Sequence, residues 1–299
     1  MKKKLFITLA ILFLSASSLS SCSQKSSSKG VISSTAVLDP YPKADVLPPK
    51  PHRELTPAPP LKEEQTPAPA PTLSDFWATE DVDVSALNPE RKYVAFTFDD
   101  SPRKTLERLV NVFLDFNVQN PDCQASATIF YNGIAVDERS FPIMQTAFAT
   151  GLEMANHTFS HFRLPDLTEE ELIREIDAVD EILQKIDGKP RHLLRAPYGA
   201  IDDKVRKVAK APILDWSVDT LDWTGISAQE IYDSVLNGLE SGGIVLMHDG
   251  FENTVEAVKR LLPELKARGY QVTSVSQLSR AHERPLKVGS VYTRARRKT

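Results

Sequence analysis

Tyr93–Pro102 reads YVAFTFDDSP, and the interpretation of the whole sequence starts from this stretch. Its first part, through Phe98, is apolar, aromatic or β-branched, which is typical of a buried strand. Two adjacent carboxylates, Asp99 and Asp100, end the strand before a Ser-Pro turn. Neighbouring acids in such a place repel each other and lose solvation, so they need a cation or a base between them. A solvent-exposed Asp-Asp-Ser-Pro turn remains the alternative on this stretch alone.

Strand and helix patterns alternate through one globular region, residues 74–280. Apolar runs predict strands at 93–98, 127–131, 152–155, 192–195, 213–218, 243–247 and 270–275. The clearest helix covers 169–186, where Thr168 and Glu171 form a capping box. This alternation predicts an α/β fold with a parallel sheet closed into a barrel. Residues 281–299 are polar and basic, and we expect them to form a frayed tail.

Residues 1–21 have the features of a targeting segment. Lys2–Lys4 precede an apolar run, Leu5–Leu14, that is too short to span a bilayer comfortably. Leu19–Cys22 resembles the bacterial lipobox, which implies cleavage before Cys22 and lipidation of its thiol. The alternative is an ordinary secretory signal with an incidental cysteine. We expect export in both cases and, with a lipid, attachment to the cell membrane facing outside the cytoplasm.

A Ser/Pro-rich linker is predicted at residues 22–73. Eleven of the 21 prolines lie between Pro40 and Pro71, and few large apolar residues accompany them. We expect a disordered tether with polyproline II character, rising about 3.1 Å per residue where it is regular. Fifty residues of this kind reach on the order of 100 Å, which places the substrate away from the bilayer.

Charge and cysteine usage narrow the function classes. Loss of Lys2–Lys4 takes the formal charge from −4 to −7, and an acidic exported protein is a poor nucleic-acid binder. Membrane attachment should therefore come from the lipid. The chain has two cysteines, so a lipidated Cys22 leaves Cys123 without an intrachain partner. We expect Cys123 to be a small buried or half-buried thiol.

Polar clusters follow five of the predicted strands. These clusters are Asp99-Asp100, His157–His161, Arg195–Gly199, Asp219–Trp223 and His248-Asp249. In parallel α/β barrels the active site is built at the carboxyl ends of the strands. The sequence therefore predicts that the five clusters meet at one rim of the barrel.

The His157–His161 spacing suggests a metal site. Residues four apart face the same way on a helical turn. Two histidines and one carboxylate suit zinc or another first-row divalent ion with positions left open for water. The same spacing also occurs in surface and core histidines. The aspartate pair favours the metal interpretation, because one aspartate can bind the ion while the other stays free as a base.

Residues 92 to 280 resemble the polysaccharide deacetylase family, carbohydrate esterase family four. Five motifs match in order: TFDD at Thr97–Asp100, HTFSH at His157–His161, RAPYG at Arg195–Gly199, DTLDW at Asp219–Trp223 and LMHD at Leu246–Asp249. The resemblance implies a distorted (β/α) barrel with about seven parallel strands. Ser101 departs from the family's usual glycine, and we expect little effect on the chemistry.

The resemblance also implies a metal centre and a base. Asp100, His157 and His161 bind one divalent ion, for which zinc is expected and cobalt, manganese or nickel are alternatives. Asp99 is the general base that deprotonates water at the metal. Arg195 pairs with Asp99 and holds it ionised and oriented. Without the resemblance, a surface arginine before a turn proline is the alternative for Arg195.

An acid and a pocket complete the implied site. His248 is the general acid for the leaving amine, and Asp222 orients His248 and raises its pKa. The backbone N–H of Tyr198 stabilises the oxyanion. Trp223 and Leu246 line the pocket for the acetyl methyl group, although Trp223 could also belong to the core. Outside this set, Asp219 is expected to cap a loop and Asp249 to be structural.

The function expected from these features is metal-dependent N-deacetylation of an acetylated polysaccharide, with N-acetylglucosamine of peptidoglycan as the substrate. Chitin-type oligomers, other exported glycans and O-acetyl xylan stay open as alternatives. A catalytically silent glycan-binding lipoprotein is disfavoured, because binding alone does not require the whole acid, base and metal set. A metalloprotease is weaker still, because the HxxxH lacks the zincin glutamate. We expect a monomer.

Overall fold

The computed structural model describes residues 76–296. The predicted signal peptide at 1–21, the lipidation site Cys22, the linker at 22–73 and residues 297–299 lie outside this range. Within residues 76–296, every helix is too short or too polar to cross a membrane.

Strands and helices alternate along the described chain. The strands are β1 (Lys92–Ser101), β2 (Thr128–Tyr131), β3 (Glu153–Asn156), β4 (Ile213–Leu214), β5 (Val218–Asp219), β6 (Ile244–His248), β7 (Tyr270–Thr273) and β8 (Val291–Tyr292). The helices are α1 (Leu106–Gln119), α2 (Phe141–Ala149), α3 (Glu169–Asp187), α4 (Asp203–Val208), α5 (Ala228–Asn237), α6 (Glu252–Ala267) and α7 (Val275–Ala281). All pairings between these strands are parallel, which confirms the predicted α/β class.

β1 is the central strand of the sheet. Its carboxyl-terminal half pairs with β2 on one edge and β6 on the other, while its amino-terminal half pairs with β7. β3 lies beyond β2, and β5 lies beyond β6. Asp99 is the register partner of His248. The residues expected to be base and acid therefore leave the sheet next to each other at its carboxyl edge.

The two faces of β1 have different roles. One face contributes three apolar side chains to the large core shared with α1 and α6: Val94, Phe96 and Phe98. The alternate residues include Ala95, Thr97 and Asp99, which are also buried. Because side chains alternate along a strand, these residues face the barrel interior. Burial of the apolar face thus fixes the direction in which Asp99 points.

The predicted strand at residues 192–195 is reduced to a bridge. Leu194 forms single parallel bridges to Asn156 at the end of β3 and to Ile213 in β4. Pro190 and Pro197 bracket the segment and cannot donate ladder hydrogen bonds, which keeps the pairing short. The bridge nevertheless continues the barrel wall from β3 to β4, as expected for a distorted barrel.

The predicted strand at residues 213–218 is two strands, β4 and β5. The backbone N–H of Asp215 donates to Tyr292 O (2.8 Å), whereas that of Ser217 donates to Ile244 O (2.9 Å). The chain therefore changes partner from β8 to β6 within three residues. Apolar content along the run predicted a strand correctly, but it carries no information about this change of partner.

The prediction of a domain that ends at residue 280, with a frayed tail after it, is wrong for the described residues up to 296. β8 pairs with β4, and Leu286 and Ala295 are fully buried. The backbone N–H of Ala295 donates to Gly242 O (2.8 Å). Arg294 pairs with Glu240 at the surface. The segment is basic overall, yet two of its apolar side chains, Leu286 and Ala295, pack in the core.

Two local predictions are confirmed. α3 begins after a capping box in which Thr168 and Glu171 bond each other's backbone N–H, and it ends at Gly188 in the left-handed region. Cys123 is a free, buried thiol.

Leu286→Ala tests whether the carboxyl-terminal segment belongs to the core. Deleting a fully buried leucine side chain should lower the free energy of unfolding by about 2–5 kcal/mol, measured by urea denaturation of the full chain. Val118→Ala, at an 81% exposed position of α1, should change it by less than about 0.5 kcal/mol. Equal small effects of both substitutions would show that the segment does not contribute to the core.

Candidate active site

Arg195 and Asp99 form a buried ion pair in the barrel interior. The Arg195 Nη1 donates to Asp99 Oδ1 (2.8 Å) and to Thr97 Oγ1 (2.7 Å). Its Nε and Nη2 donate to the carbonyl oxygens of Leu214 and Asp215, each at 3.1 Å. The guanidinium also lies over the Phe130 ring, 4.2 Å from its centroid. Full pairing of this kind is what allows an arginine to be fully buried.

This environment keeps Asp99 ionised. Burial alone would raise the pKa of its carboxyl group, but the charge of Arg195, followed by those of His157 and His248, holds the pKa below its usual range. Asp99 therefore stays a carboxylate at neutral pH, as a general base must. The predicted pairing of Asp99 with Arg195 is present in the structure.

Asp100, His157 and His161 form a group that could hold a metal ion. One ligand atom from each lies within 4.8 Å of the others. Asp100 Oδ1 is 3.3 Å from His161 Nε2 and 3.7 Å from His157 Nε2. The same Oδ1 atom is buried without a hydrogen-bond partner among residues 76–296. A buried carboxylate oxygen that faces two imidazole nitrogens fits a divalent cation.

Both imidazoles can offer a lone pair to such an ion. His157 Nδ1 lies 2.8 Å from the carbonyl oxygen of Arg195, which assigns the proton to Nδ1 and leaves Nε2 free. Burial, and then the charge of His157, lowers the pKa of His161 to about 4. His161 is therefore neutral at physiological pH. The donor set thus matches the predicted two-histidine, one-carboxylate site.

The backbone at the rim adopts unusual conformations. Five non-glycine residues at or after the strand ends have positive φ: Asp100 (66°), Thr158 (63°), His161 (58°), Tyr198 (63°) and Leu221 (57°). Alternation along β1 would send Asp100 to the helix-covered face, but its positive φ breaks the pattern and directs it toward His161. Such conformations cost about 1–3 kcal/mol each and cluster where surrounding structure holds functional groups in place.

His248 and Asp222 form the predicted acid pair. His248 Nδ1 lies 2.7 Å from Asp222 Oδ1, while Asp222 Oδ2 accepts from the backbone N–H of His248 (2.8 Å) and from Thr254 Oγ1 (2.6 Å). Burial lowers the pKa of His248, but the hydrogen bond to Asp222 and the charge of that carboxylate raise it above its ordinary value overall. His248 Nε2 is the ring nitrogen that Asp222 does not engage.

Asp219 and Asp249 have the supporting roles expected of them. Asp219 Oδ1 accepts from the backbone N–H of Leu221 (2.9 Å) and so caps the loop before Asp222. Asp249 is buried, and its Oδ2 accepts from Ser101 Oγ (2.9 Å) and from the backbone N–H of Arg103 (2.6 Å). The serine that replaces the usual glycine thus has its own hydrogen-bond partner.

Comparison with known proteins places this geometry in a family. A peptidoglycan-N-acetylglucosamine deacetylase of Bacillus cereus is 34% identical over 197 residues, which cover 63% of this chain and 89% of that relative. The chain belongs to the polysaccharide deacetylase family. The family's sequence profile, described as polysaccharide deacetylase, matches residues 86–212, and the named deacetylase relatives support a hydrolase that acts on carbon–nitrogen bonds.

Two further comparisons agree with this assignment. The peptidoglycan-N-acetylmuramic acid deacetylase PdaC of Bacillus subtilis is 32% identical over 192 residues, which cover 64% of this chain and 40% of PdaC. The chain thus spans less than half the length of that relative. A solved structure described as T48 deacetylase with substrate superposes with a TM-score of 0.62 at 31% identity, over 68% of this chain and 96% of the other.

The remaining family positions lie around the rim. Tyr198 is 70% exposed, and its ring centroid is 4.8 Å from that of His161. Trp223 is half-exposed beside Asp222, and Leu246 is buried in β6, in register with Thr97. The oxyanion role of the Tyr198 N–H and the pocket role of Trp223 and Leu246 stay predictions.

One supporting network was missed by the sequence reasoning. Asn156 Oδ1 accepts from the backbone N–H of Thr158 (2.8 Å), and Asn156 Nδ2 donates to Asp180 Oδ1 (3.0 Å). Asp180 also contacts His192 Nδ1 (2.9 Å), whose Nε2 faces Asp187. These residues thus hold the positive-φ turn between the two metal-ligand candidates. Only the position of Asn156 directly before His157 hinted at this role.

Metal content distinguishes a metal ligand from a general acid at this rim. After zinc loading and dialysis of the full chain, Asp100→Ala should weaken zinc binding by more than the roughly 10–100-fold effect of changing an outer-shell partner. His248→Ala is the matched control at the same rim and should retain one ion per chain. Mass-spectrometric metal analysis measures both variants, and loss of zinc from His248→Ala would contradict the assignment.

Proposed function

We propose that this chain hydrolyses N-acetyl groups of an extracytoplasmic polysaccharide, with N-acetylglucosamine of peptidoglycan as its substrate. The proposal depends on one observation: two adjacent aspartates have different partners. Asp99 is held ionised by Arg195, whereas Asp100 faces two imidazoles with an unpartnered oxygen. A binding protein has no need of this arrangement, whereas amide hydrolysis needs both a base and an activated electrophile.

The named relatives support the choice of substrate. The Bacillus cereus relative is a peptidoglycan-N-acetylglucosamine deacetylase, and the Bacillus subtilis relative acts by its name on N-acetylmuramic acid of peptidoglycan. A bifunctional xylanase/xylan deacetylase of Cellvibrio japonicus is 30% identical over 59% of this chain. Amide and ester substrates are thus both represented among the relatives, so N-acetylated and O-acetylated glycans both need to be assayed.

Asp100, His157 and His161 would hold the divalent ion, and zinc is the ion we propose because it favours nitrogen and carboxylate ligands. When bound, a divalent ion lowers the pKa of water and polarises a carbonyl oxygen. The residues around it do the proton transfers. Asp99 Oδ2, the oxygen that Arg195 does not engage, accepts the proton of the attacking water.

His248 supplies the proton for the leaving group. Its Nδ1 is held by Asp222, so Nε2 is the atom that donates to the departing nitrogen. The raised pKa of His248 increases the protonated fraction available at neutral pH. The Tyr198 N–H is proposed to bind the developing oxyanion, and Trp223 with Leu246 to enclose the acetyl methyl group.

Attachment through a lipid on Cys22 is part of the proposal and rests on residues 1–22 of the sequence. The linker at 22–73 would let a membrane-attached domain reach the wall. We propose that the domain works as a monomer with the acetylated glycan as its partner.

Acetate release tests the function directly. The full chain, loaded with zinc, should release acetate from peptidoglycan glycan strands, and removal of the ion with a chelator should abolish the reaction. Asp99→Asn should lower kcat about 10²–10⁴-fold while zinc stays bound, because it removes the base and keeps the side-chain shape. Acetylated xylan and chitin oligomers are assayed in parallel. Faster turnover of xylan or chitin oligomers would contradict peptidoglycan as the substrate. Absence of acetate from every glycan would contradict the deacetylase activity.

The pH profile tests the role of Asp222. His248 must be protonated to act, so activity should fall as the pH rises through its pKa, which Asp222 raises. Asp222→Asn should therefore move the alkaline limb of kcat/KM to lower pH. Asp233→Asn, on the exposed face of α5, is the control and should leave the limb in place. An unchanged limb in Asp222→Asn would show that Asp222 does not tune His248.

A further inference from the structure

An exposed arginine, Arg103, lies directly beside the metal-ligand group. Its Nε donates to the carbonyl oxygen of Asp100 at 2.8 Å. The hydrogen bond fixes the guanidinium at the open edge of the rim, next to the residue proposed to bind the ion. The catalytic steps described above make no use of this side chain.

The backbone and stem of Arg103 are also held in place. Its backbone N–H donates to the buried carboxylate of Asp249 (2.6 Å). Gly250, with a φ of +105°, lets the chain after β6 pass close by, since a Cβ there would lie 3.3 Å from Arg103 Cβ. Two loops from neighbouring strands thus support one exposed cation, which lowers the entropy lost when that cation binds a ligand.

The two Nη atoms of Arg103 have no protein partner among the described residues. Among residues 76–296, no carboxylate or carbonyl oxygen bonds either Nη. A guanidinium presents donors in a planar fork, and its preferred partner is a carboxylate bound through two parallel hydrogen bonds. Nε binds Asp100 O, and the side chain is exposed, so the Nη donors stay accessible to a substrate group.

We propose that Arg103 is a specificity-determining residue that binds a carboxylate on the sugar next to the one whose acetamido group is hydrolysed. The substrate class is therefore an anionic N-acetylated glycan, such as a strand whose lactyl carboxylate is not joined to peptide, or one that carries a uronic acid carboxylate. This inference rests on the proposed deacetylase function and adds a charge preference to it. A neutral homopolymer of N-acetylglucosamine offers Arg103 no partner of this kind.

The test uses one glycan in two charge states. Tetrasaccharide glycan strands from peptidoglycan, freed of peptide, are assayed with the lactyl carboxylates free or converted to methyl esters. The measured quantity is the ratio of kcat/KM for the acid to kcat/KM for the ester. A ratio is used because Arg103 also contacts Asp100, so a substitution can change both rates together through the metal site.

The zinc-loaded full chain should prefer the free acid by about tenfold, the scale of a charge-assisted hydrogen bond. Arg103→Gln should bring the ratio close to one, and Arg103→Lys should restore part of the preference by restoring the charge. Lys104→Gln removes the neighbouring exposed charge and is the matched control, with a ratio like that of the unchanged protein.

Two results would overturn the inference while leaving the deacetylase function standing: equal rates on acid and ester in the unchanged protein, or a preference that persists in Arg103→Gln. An equal fall of the ratio in Lys104→Gln would assign the preference to general charge attraction and would also overturn it. Absence of acetate from both glycans would instead count against the proposed function itself.

Discussion

The buried ion pair between Arg195 and Asp99 is the interaction on which the rim of this barrel depends. Taking two charges out of water costs several kcal/mol per ion, so such a pair persists only where nearly every donor and acceptor is satisfied. Arg195 meets that condition by bonding β1 through Thr97 and Asp99 and the β4 side of the barrel through two carbonyl oxygens. It thus ties β1 to the β4 side of the barrel. One oxygen of Asp99 is committed to this contact, and the carboxylate is kept ionised.

Asp99 and Asp100 are chemically identical neighbours that have different surroundings. The ion pair with Arg195 and the backbone conformation of Asp100 cause this difference. Asp99 follows the alternation of β1 into the interior, while the positive φ of Asp100 takes the next carboxylate out of that pattern toward His161. The same device recurs at Thr158 and Tyr198 in the neighbouring loops. Strained conformations are tolerated because buried side chains such as Asn156 hold them. The site is therefore stabilised in part by groups, such as Asn156, that are not among the candidate catalytic or metal-binding residues.

Sequence alone predicted most of the site, because polar residues that end apolar runs are visible without a structure. Asp99, Asp100, His157 and His161 lie close together at the rim, as those positions predicted. The supporting role of Asp180 was not predicted. A single acidic residue on the apolar face of an amphipathic helix does not by itself indicate a buried hydrogen-bond network. β8 was missed because it is two residues long within a basic segment. Short pairings and buried polar networks depend on distant partners, which local composition does not encode.

The central claim is that Asp100 binds the ion while Asp99 stays free, and the two carboxylates compete closely for that role. His157 Nε2 lies 3.5 Å from Asp99 Oδ2 and 3.7 Å from Asp100 Oδ1. The most direct measurement is a crystal structure of the zinc-loaded chain with anomalous scattering at the zinc edge. The account predicts one ion at about 2.0–2.2 Å from Asp100, His157 and His161, with Asp99 bonded to Arg195 and outside that distance. An ion ligated by Asp99 in place of Asp100 would contradict it.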